Sequence, residues 1–152
     1  MSPSPEPWTP IPQDVSLLPV LRHLVLAQSQ VARMGNRFVE THGLTMPQFD
    51  VVATLGDTPG LTCKELSEQS LTTKGSLLPL LDRLEAKAWV RRSKGEKDSR
   101  QTIVSLTDAG QALYQAVFPA FVDVMNQKLA LLTPEERDEL VRLLKKLDEV
   151  FR

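Results

Sequence analysis

The chain of 152 residues has the size of one domain, and its composition, with 41% hydrophobic, 24% charged and 5% aromatic residues, favours packed helices over a β-sandwich or barrel. A single cysteine excludes an internal disulfide and a multi-thiolate metal site. The longest purely apolar runs are a few residues, such as Leu24 to Ala27, so no membrane span is expected, and no secretory signal is read at the start, so the cytoplasm is the expected compartment. The net charge of −1 hides a segregation: between Thr73 and Leu106 eight basic residues face four acidic ones, which leaves the rest of the chain acidic.

The first 12 residues hold five of the 11 prolines, and residues 1–13 read as a flexible or polyproline-like arm. Its Trp8 either docks on the body or stays in solvent. From about Ser16 to His42, Leu17, Leu21, Leu24, Val25, Val31, Met34 and Phe38 recur at three- and four-residue steps, which predicts a long amphipathic helix. Pro19 is tolerated in its first turn, and Gly43 stands just past its end. Thr45 and Gln48 form a capping box for a second helix to about Leu55, stopped by the turn cluster Gly56 to Gly60.

Thr62 and Glu65 form another capping box, which opens a short third helix to about Gln69. After the break at Ser70 to Thr72, either Thr72 or Thr73 caps a fourth helix to about Lys87, with Leu77, Leu80, Leu81 and Leu84 read as core. Trp89 to Arg92 and Gln101 to Leu106 have strand character around a charged tip, which predicts a β-hairpin with a long loop. Thr107 caps a fifth helix to about Leu132 with a kink at Pro119, apolar on more than one face and so expected to be buried on two sides. Thr133, Pro134 and Glu136 start a last helix with Leu140, Leu143, Leu144, Leu147, Val150 and Phe151 on one stripe.

The middle of this order is a helix-turn-helix followed by a basic wing, and that arrangement suits DNA. Thr72, Thr73, Lys74, Gly75 and Ser76 bring short hydroxyls, one cation and a close-approach glycine to a major groove. Free N–H groups at the same helix start can receive a phosphate. A hairpin carrying Lys94, Lys97 and Arg100 can reach an adjacent minor groove, and Arg83, Arg91 and Arg92 add phosphate affinity. A basic segment alone fits an acidic protein partner equally well, so a winged-helix protein-interaction module is the alternative reading. Catalysis is not expected, because there is no triad, Gly-rich phosphate loop or metal-ligand cluster.

Asp98-Ser99-Arg100 followed by Val104-Ser105-Leu106-Thr107-Asp108-Ala109-Gly110 resembles the wing-and-exit signature of the MarR family (multiple antibiotic resistance regulators). Thr73-Lys74-Gly75-Ser76-Leu77, leading to Leu81-Asp82-Arg83-Leu84-Glu85 and Val90-Arg91-Arg92, is similar to the same family, and the likeness runs from about Leu17 to Phe151. It implies a mainly α fold with a small β-hairpin wing: a winged helix-turn-helix lobe over about 46–106, with dimerisation helices over 14–42 and 107–152 of one domain spanning 14–152. It also implies a homodimeric regulator, more often a repressor, with the recognition helix in the major groove and Arg100 in the minor groove, oriented by Asp98. Two positions depart from the pattern: Ala88 stands where the family often has glycine, and Pro79 lies inside the recognition helix, as in some branches of the family.

The family resemblance further implies an effector, commonly a small aromatic anion, for which Arg22, His23 and Arg37 are candidates against the plainer reading of surface residues. Cys63, beside Lys64 at a helix start where a thiol pKa can fall, is either a redox sensor or inert. No cofactor and no metal are expected.

Overall fold

The computed structural model describes residues 15–152, so the proline-rich arm and Trp8 lie outside the described residues. The order is α1 (Leu18–Glu40), α2 (Met46–Leu55), β1 (Leu61–Thr62), α3 (Cys63–Gln69), α4 (Lys74–Ala86), β2 (Val90–Lys94), β3 (Thr102–Leu106), α5 (Asp108–Leu129) and α6 (Pro134–Val150). The chain divides into two compact units between Gly35 and Asn36, within α1.

Side chains set the boundaries. Thr45, Thr62 and Thr133 each accept the N–H of the third helical residue, whose own glutamine or glutamate reaches back to the threonine N–H. Thr107 Oγ1 accepts the Gly110 N–H at 3.0 Å and opens α5. Gly43, at φ +74°, makes the left-handed turn after α1 that a side chain would oppose.

The sheet has three antiparallel strands in the order β1-β3-β2, not the two-stranded hairpin expected. The third strand is only Leu61 and Thr62, paired with Val104 and Ile103. Two residues show no alternation, and Thr62 is at once the cap of α3, so the helix signal hides the strand. Within the wing, Val90 pairs with Leu106, Arg92 with Val104 and Lys94 with Thr102.

The main core joins Val51, Val52 and Leu55 of α2, Leu66 of α3, Leu77, Leu80, Leu81 and Leu84 of α4, and Val90 and Val104 of the sheet. A second cluster of Val39, Leu44, Phe49 and Val117 is covered by Phe38, Phe118 and Phe121. The expected two-sided burial of α5 is not met within one chain: only Gly110 and Val117 of α5 are buried. No residue of α6 is buried. Gly110 has a clear packing reason, because a Cβ there would run into the Trp89 carbonyl oxygen.

Candidate nucleic-acid interface

The helix-turn-helix is α3, the turn Ser70 to Thr73, and α4. Its turn is tied to α2 by Asp50, whose Oδ2 accepts the Leu71 N–H at 2.7 Å and the Thr72 hydroxyl at 3.5 Å. Thr72 is therefore buried, and its N–H donates to Ser70 Oγ at 3.3 Å. This corrects the expectation that Thr72 lies on the exposed start of the helix: the carboxylate draws its hydroxyl inward. Burial pushes the Asp50 carboxyl above its ordinary value, and the hydrogen bonds from Leu71 and Thr72 partly offset that rise.

Thr73 is the N-cap in extended conformation, but its hydroxyl donates to Ser76 Oγ at 3.1 Å and does not cap the backbone. The amides of Lys74 and Gly75 begin α4 with no acceptor within the helix. Thr73, Lys74, Gly75 and Ser76 are all exposed, and a Cβ at Gly75 would meet nothing within 4 Å. The result is an open, hydroxyl-rich helix start with one cation and free N–H donors, aimed away from the core.

The wing tip is ordered by Asp98. Its Oδ1 accepts the Arg100 N–H at 3.0 Å and Nε at 3.1 Å, and its Oδ2 accepts Nη2 at 3.4 Å. These bonds hold the Asp98 carboxyl below the usual carboxylate range. The Arg100 side chain is nonetheless 89% exposed, so Asp98 holds one edge of the guanidinium and leaves the rest of it open to solvent. The Gly95 N–H closes the loop on the Gln101 carbonyl at 2.9 Å. Lys94, Lys97 and Arg91 are exposed on the same hairpin, with Arg91 Nε donating to Ser105 Oγ at 3.2 Å, and Arg83 is exposed on α4.

Arg92 departs from its expected part. Its Nη2 lies 2.6 Å from Asp82 and 2.5 Å from Glu85, and Nε donates to Glu85 at 3.1 Å. The guanidinium stitches β2 to α4, its pKa is raised by both carboxylates, and its charge is neutralised locally. The period-two pattern of the strand cannot show this, because both partners lie on the preceding helix.

The exit from α4 is a Schellman turn: the Ala88 N–H donates to the Glu85 carbonyl at 2.9 Å and the Trp89 N–H to the Leu84 carbonyl at 3.0 Å. Ala88 takes the left-handed conformation at φ +57° that glycine would adopt freely. Pro79 is accommodated within a continuous α4; it has no N–H to donate to the Gly75 carbonyl one turn earlier.

The remaining candidates lie on other elements. Cys63 is half-buried in the first turn of α3 and packs against the main core. Arg22 and His23 are exposed on α1 in the first unit, and Arg37 is exposed on α1 in the second. Among the described residues no three His, Cys, Asp or Glu side chains gather into a metal site, and no helix is long and apolar enough to cross a membrane.

A helix-turn-helix closed by a three-stranded sheet, with a basic hairpin tip and an open helix start, defines a winged-helix regulator of the DNA-binding class. The MarR family profile matches residues 44–102, which cover α2 through β2 and reach the first residue of β3. The transcriptional regulator HosA of Escherichia coli O157:H7 is 33% identical over 122 residues, 80% of this chain and 88% of that protein. The homoprotocatechuate degradative operon repressor of Escherichia coli is 31% identical over 123 residues, 80% of this chain and 83% of that one. A mutant MarR of E. coli, solved in complex with operator DNA, superposes with a TM-score of 0.76 at 27% identity, covering 90% of this chain and 99% of that chain. The chain belongs to the MarR family of transcriptional regulators, and it is not an enzyme.

Proposed function

We propose that this chain is a cytoplasmic repressor that binds a pseudo-palindromic operator as a homodimer, with half-sites about one helical turn apart. The observation that carries the reading is an exposed α4 start, Thr73 to Ser76, together with a wing whose Arg100 is held by Asp98 along one edge of its guanidinium and is otherwise exposed. Lys74, Gly75 and Ser76 supply groove contacts. Arg100 enters the minor groove, and Arg83, Arg91, Lys94 and Lys97 supply salt-sensitive phosphate affinity. The repressor sense is supported by the relative named for that action. Residues 14–42 and 107–152 serve the dimer, and their exposed apolar residues support that division. A small aromatic anion or an oxidant releases the DNA by favouring a second spacing of the two recognition helices; Arg22, His23 and Arg37 are the candidate anion partners and Cys63 the candidate thiol.

Fluorescence anisotropy against the chain's own upstream DNA and a scrambled duplex, across a salt series, tests the reading. A preference for the first that survives moderate salt is expected. Arg100→Ala should weaken binding to that duplex by about 1–3 kcal/mol. Weak, equal and steeply salt-dependent binding to both duplexes would show only a basic surface, as a module for an acidic protein partner would give. An unchanged affinity in Arg100→Ala would remove the arginine from the groove.

A further inference from the structure

Beyond its first turn, the outward face of α4 offers little for hydrogen bonding. Leu77, Leu80, Leu81 and Leu84 are buried and fix the inward side. At about 100° per residue the opposite side carries Gly75, Leu78, Pro79 and Asp82, and all four are exposed. Gly75 has no side chain, and Asp82 engages Arg92 at 2.6 Å. The side chains of Leu78 and Pro79 present only carbon. Leu78 is 55% exposed and joins neither core cluster.

Such a face cannot read a base through the bidentate pairs that arginine, asparagine or glutamine make. One apolar group stands on the base edges of the major groove, and it is the C5 methyl of thymine. Lys74, one turn before Leu78, and Arg83, one turn after Pro79, are both exposed and suited to flanking phosphates. Nothing at Gly75 holds the helix away from the groove floor, since a Cβ there would still stand clear of every other group by 4 Å.

Building on the proposed DNA-binding role, we infer that Leu78, backed by Pro79, selects thymine in each half-site by packing against its C5 methyl. The inference makes Leu78 a specificity-determining residue, where Lys74 and the wing cations supply affinity. It also assigns a use to the proline inside the recognition helix: its ring widens the apolar surface.

The test uses DNA upstream of the chain's own gene, amplified once with thymidine triphosphate and once with deoxyuridine triphosphate, so that the duplexes differ in their C5 methyls. The full chain and its Leu78→Ala variant are titrated against both by anisotropy, with a scrambled thymine duplex as reference. The full chain should prefer the thymine duplex by about fourfold for each methyl packed. Leu78→Ala should lose most of that ratio while keeping its salt dependence, and Leu78→Met, which keeps an apolar surface, should retain the ratio. Equal binding of the full chain to thymine and uracil duplexes, both above the scrambled reference, overturns the thymine reading and leaves DNA binding standing. So does a thymine preference that survives intact in Leu78→Ala, provided circular dichroism shows that variant folded. Binding to neither duplex above the scrambled reference overturns the DNA reading itself, and this inference with it.

Discussion

Asp50 lies half-buried on α2 and reaches across to the turn before α4, accepting Leu71 N–H and the Thr72 hydroxyl. In sequence it is one polar residue inside Gln48 to Val52, and nothing in its spacing points to a residue more than 20 positions away. Its titration gives a check. Burial raises its carboxyl above 3.8, so the folded chain holds the proton more tightly than the unfolded chain does. The contribution of this group to stability therefore falls as pH rises from the ordinary value through the raised one. Asp50→Asn keeps an oxygen for the Leu71 N–H but removes the titration. Urea midpoints measured across this acidic range should show the original chain losing stability relative to the variant as pH rises. The opposite slope would mean that the hydrogen bonds outweigh burial. Asp98 behaves in the other sense: Arg100 lowers its carboxyl, so the brace at the wing tip persists into acid and is lost only as pH falls through the lowered value.

At the scale of elements, the exit of α4 joins a sequence departure to a measurable cost. Ala88 closes a Schellman turn at φ +57°, where a Cβ crowds the following carbonyl. Ala88→Gly should raise unfolding stability by about 1 kcal/mol, the left-handed relief outweighing the added chain entropy. Denaturant melts at constant m-value would show it, and a loss of stability would mean that the methyl packs favourably. The position stood out in the sequence because the family pattern expects glycine there. The same held for the threonine caps, whose hydroxyl and glutamine or glutamate partners are three residues apart and so visible in a short window. What stayed hidden was set across elements. β1 is too short to alternate, Thr72 is turned inward by Asp50, and Arg92 is claimed by Asp82 and Glu85 on the helix before it. The reading of Leu77, Leu80, Leu81 and Leu84 as core holds in the packing, and Leu78, which that reading does not include, is exposed.

Among the described residues, much of the exposed apolar side-chain surface lies in the N-terminal segment and in α6. In the first unit Leu17, Leu18, Leu21 and Val25 of the N-terminal segment are each more than half exposed, from 52% to 74%. In the second unit, α6 buries no residue, although Leu140, Leu143, Leu144 and Leu147 follow the three- and four-residue steps of one helical stripe. A 17-residue helix with an apolar stripe gains little from lying in water, since helices of that length draw most of their stability from packing. An exposed apolar stripe of this kind suits an interface, and the proposed two-fold operator calls for a second copy of the chain to supply it. Sedimentation of the full chain should therefore report twice the 17.0 kDa chain mass. Leu144→Glu with Leu147→Glu places two carboxylates in the stripe and should yield monomer or unfolded protein. Lys146→Glu, on the polar side of α6, should leave the dimer intact. Monomer retaining helical circular dichroism should also lose the tight binding that two linked half-sites provide, while keeping the weak, salt-sensitive attraction of one wing. A well-folded dimer in the double variant would move the interface away from α6.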